Sequence, residues 1–271
     1  MINISKIKND KYYTSSELAK YIVNKTKEII GEENINEYLE PSAGYGVFLD
    51  YLPKGTLAYD IEPKDDKGRI VKQDFLELDL DYKKGRCIIG NPPYGTKNKL
   101  YLQFYKKSIK LADYISFILP ISQLNNNYEM YDFDLIHSED LGIKEYSDRK
   151  VHCCFNIYKR PLNDKLNKRQ NYKFKDVILK GVSRGTARND KVPNKYDFSI
   201  CGFGSIGKLC EYEGQYCQQI YVTINNNKYK DKIKDIILNA DWYKLYDMTA
   251  TPKLKHWQIY KYIKEQIPEI K

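Results

Sequence analysis

The stretch Cys-Ile-Ile-Gly-Asn-Pro-Pro-Tyr-Gly, residues 87–95, constrains the fold more than any other part of the chain. Its apolar start, Cys87 to Ile89, predicts the end of a buried strand. Pro92 and Pro93 have a fixed φ and no N–H, so they fit neither a helix interior nor a central sheet ladder. The sequence therefore predicts a stiff loop at the carboxyl end of a strand, where open α/β sheets bind their ligands.

This predicted loop carries groups that can hold an amino group attached to a flat ring. The side chain of Asn91 and the carbonyl of Pro92 each offer an acceptor oxygen, and two acceptors can bind both hydrogens of one NH2 group. Such binding draws the nitrogen lone pair out of conjugation with the ring, and the ring of Tyr94 can stack on its face. The candidate catalytic residues are Asn91, Pro92, Pro93 and Tyr94.

A second motif precedes the first by about 45 residues. The predicted strand Tyr38–Glu40 runs into the small-residue turn Pro41-Ser42-Ala43-Gly44-Tyr45-Gly46, and residues 47–49 are predicted to open a helix. The two glycines let the backbone come close to a ligand, and a helix N-terminus offers free N–H groups. The spacing matches neither the dinucleotide-binding glycine pattern nor a phosphate loop, so NAD and ATP are poor candidates.

Together the two motifs resemble those of the amino-group methyltransferases, chiefly the DNA adenine-N6 methyltransferases. Glu40–Gly46 matches the EPSAGxG cofactor motif of that family, and Asn91–Tyr94 matches its NPPY catalytic motif. The resemblance covers roughly residues 10–160. It implies an α/β fold, a Rossmann-like class I methyltransferase sheet with helices on both faces. It also implies S-adenosyl-L-methionine as cofactor, and methyl transfer to the N6 amino group of an adenine flipped out of double-stranded DNA.

Two acidic residues follow predicted strands between the motifs. Asp60 ends the strand Thr56–Tyr59, where a carboxylate can accept hydrogen bonds from both hydroxyls of a ribose; the alternative is a helix N-cap. Asp74 is placed to accept from the adenine amino group of the cofactor, with Phe75 packing on that ring. The alternative for this pair is a solvated aspartate beside a core phenylalanine.

The N-terminal segment completes the implied cofactor site. A capping pattern in residues 14–17 and apolar residues at helical spacing predict a helix that ends at Gly31. The segment before it resembles the part of the family that touches the methionine end of the cofactor; the alternative is an ordinary packing helix. The implied cofactor contacts are Tyr13, Thr14, Glu40, Pro41, Ser42, Ala43, Gly44, Gly46, Asp60, Ile61, Asp74, Phe75 and Asn91.

The rest of the first domain predicts packing elements and one further site residue. Residues 100–111 predict an amphipathic helix, residues 114–119 a buried strand, and the polar residues 121–140 a long loop over the active-site edge. Another strand is predicted at 151–158. In the family, a loop aromatic residue before this strand stacks on the extruded adenine, which makes Tyr146 the candidate; the alternative is a surface tyrosine.

Basic charge is concentrated in the middle of the chain. The formal net charge is +9, and residues 159–195 hold twelve Lys or Arg against three Asp or Glu, a net charge equal to that of the whole chain. Because this segment follows a predicted DNA-modifying domain, we favour phosphate contact over a solvated face. The candidates are Lys168, Arg169, Arg184 and Arg188. We expect a catalytic domain at 1–160 and a small basic α+β target-recognition domain at 161–271.

Composition excludes several other classes. The six cysteines show no CxxC pair or zinc-ligand spacing and there are three histidines, so no metal is expected. No apolar run approaches the length of a membrane span and no signal-peptide pattern is present, so no membrane partner is expected. We expect a cytoplasmic protein with reduced thiols, in a bacterial cell or the host cell of a phage or virus. A cognate restriction endonuclease is left open as a second partner beside double-stranded DNA.

Three alternatives to DNA methylation stay open at this level. The same acceptors could hold the adenine amino group of RNA or the side-chain amide of a protein glutamine. The glutamine methyltransferases usually carry an N-terminal helical domain, which has no counterpart in this sequence. A non-catalytic nucleic-acid-binding module with a decayed core is the third, and the intact 40–46 and 91–94 motifs argue against it.

Overall fold

The computed structural model describes residues 14–95, 100–146, 149–162, 165–183, 192–246 and 253–271, with the backbone alone at 146 and 149. The chain divides into two compact units, Met1–Arg169 and Gln170–Lys271. The division falls after Arg169, later than the expected boundary at residue 160. Each unit is described separately below.

A single sheet forms the centre of the N-terminal unit. In the described residues the unit has α1 (Ser16–Ile30), α2 (Leu100–Leu111) and the strands β1 (Glu37–Glu40), β2 (Leu57–Asp60), β3 (Val71–Lys72), β4 (Arg86–Gly90), β5 (Tyr114–Pro120), β6 (Asp134–Tyr146) and β7 (Arg149–Lys159). Their order across the sheet is β3-β2-β1-β4-β5-β7-β6. The first five strands pair in parallel, whereas β7 is antiparallel to both of its neighbours. This is the Rossmann-like class I methyltransferase sheet, as expected.

Helices cover both faces of this sheet. Side chains alternate between faces along a strand, so Ile88 of β4 lies in one apolar core and Cys87 and Ile89 lie in the other. Buried residues of α2 belong to the first core and those of α1 to the second. The continuous apolar run in β4 is therefore explained by burial on both faces, which is typical of parallel strands.

The carboxyl ends of β1, β2 and β4 meet at one edge of the sheet. These strands are parallel neighbours, with Glu40 paired to Ala58 and Leu39 paired to Ile88. The chain order of the strands reverses between β1 and β4, which makes this edge a topological switch point. The turn after Glu40, the carboxylate of Asp60 and the loop after Gly90 therefore lie side by side.

Three local predictions are corrected by the structure. The predicted helix at 47–49 is only a 3₁₀-helix, Phe48–Asp50, because Pro53 disfavours helical backbone just before it. The predicted capping pattern starts at Thr14, whereas helix α1 is capped by the hydroxyl of Ser15, which accepts from the N–H of Leu18. The predicted loop at 121–140 was wrong in its second half, where strand β6 begins at Asp134.

The prediction missed β6 because the strand lacks a clean alternation of apolar and polar residues. It lies at the edge of the sheet and its register against β7 shifts twice, between Leu135 and His137 and between Asp140 and Gly142. Each bulge moves the following side chains to the other face. A strand with this pattern is hard to distinguish from a polar loop by sequence alone.

The segment after β7 is packed onto the N-terminal unit by polar contacts. The guanidinium of Arg160 donates to the carbonyls of Ile109 and Ala112 and to the carboxylate of Asp113. Further on, the backbone N–H of Asn167 donates to the carbonyl of Asp132 at 3.0 Å. These contacts account for the position of the boundary, because Arg160 and Asn167 are both hydrogen-bonded to the first unit.

The C-terminal unit is a small α+β fold, as expected. Its described residues form an antiparallel sheet in the order β8-β10-β9, from β8 (Val177–Ser183), β9 (Phe198–Cys201) and β10 (Gln218–Ile224). One face packs against helices, and the helices of the unit are α3 (Lys230–Asn239), α4 (Trp242–Leu245) and α5 (His256–Gln266). The sequence predicts strands at 196–200 and 218–224 and helices at 228–238 and 252–267, which correspond to β9, β10, α3 and α5. It does not predict β8 or α4.

Candidate active site at the carboxyl edge of the sheet

The last residue of β1 places a carboxyl group in the protein interior. Glu40 is 2% exposed, and its Oε2 atom has no hydrogen-bond partner within the described part of the chain. Burial and the neighbouring carboxylate of Asp60 raise the pKa of Glu40 well above its ordinary value, and the charge of Arg69 acts in the opposite direction. A buried carboxyl group without a partner is costly, so this position is suited to receive a cationic ligand.

The backbone of the turn after Glu40 is fixed by a hydrogen bond to Asp60, the last residue of the neighbouring strand β2. The N–H of Gly44 donates to Asp60 Oδ2 at 2.8 Å, and the N–H of Glu62 donates to the other oxygen at 2.7 Å. Each carboxylate oxygen keeps a second lone pair, so Asp60 can still accept from the hydroxyls of a ligand. The side chain of Ile61 is 39% exposed beside it and offers an apolar surface at the same place.

The two sequence motifs are joined directly. The hydroxyl of Ser42 donates to the backbone carbonyl of Asn91 at 3.2 Å, and the side-chain amide of Asn91 donates to the hydroxyl of Thr14 at 3.2 Å. Thr14 and Ser42, expected as cofactor contacts, therefore also fix the loop after β4. Tyr13, expected beside them, lies outside the described residues.

The ring of Tyr94 is in the core and not at the surface of the loop. It is 3% exposed, its hydroxyl lies 3.3 Å from the sulfur of Cys153, and its ring packs edge-to-face on Tyr101. Stacking of Tyr94 on a base, as expected from the sequence, would require the ring to leave this position. In the described arrangement the buried ring of Tyr94 anchors the loop instead, because Tyr94 directly follows Pro93.

Asp74 and Phe75 have different environments. Asp74 caps the 3₁₀-helix Phe75–Glu77 by accepting from the N–H of Leu76 at 2.9 Å. Phe75 is 1% exposed and packs on Phe104, with 5.2 Å between ring centroids. The structure thus supports the alternative of a core phenylalanine for Phe75, and Asp74 remains a predicted contact of the cofactor adenine.

The remaining predicted site residues are placed as follows. Pro41, Ala43 and Pro92 are buried around the two turns, and Pro93 is partly exposed. The backbone of Tyr146 ends β6 opposite Arg149, and only the backbone is described at this position. Arg184 and Arg188 lie outside the described residues.

Two of the predicted basic contacts lie on the N-terminal unit. Lys168 is exposed, and the guanidinium of Arg169 stacks over the ring of Tyr128 at 4.2 Å. Tyr128 belongs to the connection between β5 and β6, which runs from the carboxyl edge of the sheet to the opposite edge, where β6 begins level with the first residue of β5. Because segment 165–169 is hydrogen-bonded to residues at the start of β6, it lies nearer to that opposite edge than to the two motifs.

Neither a metal cluster nor a membrane span is found in the described residues. No group of three or more His, Cys, Asp or Glu side chains there could hold a metal ion. None of the helices described is both long enough and apolar enough to cross a membrane.

Comparison with known proteins gives structural likeness without sequence relationship. No protein-family model matches the chain, and no curated protein matches it significantly. Among solved structures, it is similar to a putative RNA methyltransferase from Pyrococcus horikoshii (16% identity, TM-score 0.44, 56% of this chain and 90% of that one). It is also similar to the 23S rRNA methyltransferase ErmE (15% identity, TM-score 0.42, 58% of this chain and 72% of that one).

A third similar structure is a magnesium protoporphyrin IX methyltransferase from Synechocystis with bound S-adenosylmethionine (10% identity, TM-score 0.38, 58% of this chain and 89% of that one). The likeness is too distant to transfer a substrate from any of these proteins. The order of the seven described strands in the N-terminal sheet, with β7 antiparallel to its neighbours, is that of the class I methyltransferase fold.

Replacement of Glu40 by Gln tests the buried carboxyl group. The pKa of Glu40 in the folded chain is raised, so its contribution to stability is complete below the ordinary glutamate value. That contribution is lost as pH rises through the raised folded value. The parent should therefore lose stability over this pH range, whereas Glu40→Gln, which cannot ionise, should not.

The measurement is hydrogen exchange of the β1 and β4 amides, because it reports on the N-terminal unit alone. Glu77→Gln, which neutralises an exposed carboxylate in the same unit, is the matched control and should follow the parent. Identical pH dependence in the parent and in Glu40→Gln would contradict the assignment.

Proposed function

We propose that this protein transfers a methyl group from S-adenosyl-L-methionine to the N6 amino group of adenine in double-stranded DNA. The observation that carries the proposal is the hydrogen bond between Ser42 and the carbonyl of Asn91. It fixes a turn suited to the cofactor against a loop whose acceptors suit an amino group. Function therefore follows from two specific turns held together at one edge, and not from the fold alone.

The described residues fit this cofactor. The Oε2 atom of Glu40, which has no hydrogen-bond partner among the described residues, can accept from the charged ammonium of the methionine part, since charge-assisted hydrogen bonds are the strong ones. Asp60 has lone pairs for the ribose hydroxyls. The exposed side chain of Ile61 can pack on the cofactor adenine, and Asp74 can accept from its amino group.

The NPPY loop would orient the acceptor. When bound, the cofactor supplies a methyl group carried on a positively charged sulfur. The side-chain oxygen of Asn91 and the carbonyl of Pro92 accept the two hydrogens of the target amino group and direct its lone pair. The two prolines and the buried Tyr94 keep these acceptors fixed, so most of the rate acceleration comes from positioning. Tyr146 is retained as the residue proposed to stack on the flipped adenine.

The exposed basic residues of segment 165–169 support a polyanionic substrate. Segment 165–169 is held in place by the backbone bond from Asn167 to Asp132 and by a side-chain bond from Asn167 to Asp134 at 2.8 Å. Stacking on Tyr128 occupies one face of the Arg169 guanidinium, while its N–H groups lie around the rim, where phosphate oxygens can approach. Arg184 and Arg188 are proposed as the residues that read bases, because a guanidinium can form two hydrogen bonds with guanine.

A direct test of the reaction uses three substrates in parallel. The parent chain should transfer labelled methyl groups to unmodified duplex DNA, and sequencing should place them on N6 of adenine within one motif. Asn91→Ala should lose the activity while keeping most of its affinity for the cofactor, because its side chain is assigned to the target amine.

The control reactions offer ribosomal RNA and a glutamine-containing protein extract. Methylation of either one in place of DNA would refute the DNA assignment and retain methyl transfer. Turnover by Asn91→Ala close to that of the parent would remove Asn91 from the catalytic role.

Neutralising Lys168 and Arg169 tests where the DNA backbone lies. The double variant Lys168→Gln/Arg169→Gln should weaken binding to all sequences and flatten the log affinity–log salt slope by ~0.9 for each phosphate that the protein no longer neutralises. The matched control is Lys106→Gln/Lys110→Gln, which removes the same charge from exposed positions on α2 of the same unit. Equal salt slopes in these two variants would show that segment 165–169 is only a solvated surface.

A further inference from the structure

The guanidinium of Arg69 joins the two segments that flank the cofactor turn. Its Nε and Nη2 atoms donate to the carboxylate of Asp65 at 3.3 and 2.9 Å, and its Nη1 atom donates to Asp50 at 2.7 Å. Asp50 ends the 3₁₀-helix directly after the turn, and Asp65 lies in the loop after β2. These hydrogen bonds hold the pKa of both aspartates below the ordinary value, so both partners of Arg69 are ionised.

Arg69 also touches the turn itself. Its Nη2 atom donates to the carbonyl of Gly46 at 3.2 Å. Gly46 has a φ of +74°, and a Cβ atom built there would lie 2.7 Å from that same Nη2 atom. The backbone conformation at position 46 therefore favours glycine, and a Cβ atom there would also displace the guanidinium of Arg69.

The charge of Arg69 acts on the buried end of β1. Two carboxyl groups, Glu40 and Asp60, lie behind the turn. Burial and the charge of Asp60 raise the pKa of Glu40, and the positive charge of Arg69 acts in the opposite direction. Because the interior has a low effective dielectric constant, a charge at this position affects how readily Glu40 ionises.

We infer that Arg69 is a positioning residue for S-adenosylmethionine. Its forked hydrogen bonds hold the 44–46 turn in the shape that receives the cofactor, and its charge favours the ionised form of Glu40 that would bind the cofactor ammonium. The inference rests on the proposed function and extends it to a residue outside both sequence motifs.

Three variants separate the fork from the charge. Arg69→Met removes both, whereas Arg69→Lys keeps the charge and loses the planar fork that bridges two carboxylates and a carbonyl. Lys67→Met is the matched control: Lys67 donates to the same Asp50 at 3.3 Å, but its side chain is 60% exposed and none of its described contacts reaches Gly46.

Calorimetric titration with S-adenosylmethionine over a pH series is the measurement, at a temperature where each variant is folded. Arg69→Met should lose about tenfold or more in affinity, and tenfold corresponds to ~1.4 kcal/mol. The pH at which its affinity is half-maximal should also move upward, because Glu40 then ionises less readily. Arg69→Lys should lose affinity without that pH shift, and Lys67→Met should match the parent.

The outcomes distinguish this inference from the proposed function. A parent chain that binds no S-adenosylmethionine would refute the proposed function. A parent that binds, together with Arg69→Lys of unchanged affinity, would overturn the role of the fork even if Arg69→Met does not fold. A Lys67→Met variant as weak as Arg69→Met would reduce Arg69 to one of several interchangeable surface charges, and so would overturn the inference.

Discussion

The parallel pairing of β1 with β4 brings two irregular turns within one hydrogen bond of each other, and the site depends on this pairing. Neither turn has repetitive structure of its own. The turn after Glu40 is fixed by the end of β2 and by Arg69, and the loop after Gly90 is fixed by its prolines and by burial of Tyr94. The bond from Ser42 to the carbonyl of Asn91 then sets their relative position.

The electrostatics of this edge favour binding a cation over an empty site. The carboxyl group of Glu40 is buried and lies near that of Asp60. Burial and the charge of Asp60 raise the pKa of Glu40, and the charge of Arg69 acts in the opposite direction. A positively charged ligand would supply a partner for Glu40 Oε2, which has none among the described residues, and would reduce the cost of burying the carboxyl group. The same arrangement costs stability in the free chain, which is commonly observed where a protein prepares a binding site.

Much of the sheet and the positions of both turns could be predicted from the sequence. Apolar runs ending in Glu40, Asp60 and Gly90 indicate strand ends, and proline and glycine after them mark turns with defined backbone constraints. The sequence did not predict correctly where individual aromatic rings lie. Tyr94 was predicted to stack on the target ring, and Phe75 either to pack on the cofactor adenine or to lie in the core. Only the tertiary packing around them shows that both are buried.

Arg69 illustrates the same limit for charged residues. Nothing around it in the sequence distinguishes it from the many other basic residues, because its partners Gly46, Asp50 and Asp65 are contacts of the folded chain. Strand β6 was missed for a related reason, since its two bulges break the alternation on which strand prediction relies. Local pattern therefore predicted the edge of the sheet, and tertiary contacts were needed to show what holds it.

The most direct test of this account is proton release on cofactor binding. S-adenosylmethionine is titrated calorimetrically into the parent and into Glu40→Gln, in two buffers with different heats of ionisation. The account predicts that the parent binds and releases protons to the buffer, because an ammonium can pair with Glu40 only when it is ionised. Glu40→Gln should bind more weakly and release none from this position. Equal affinity and equal proton release in the two proteins would contradict the central claim that this edge of the sheet is the cofactor site.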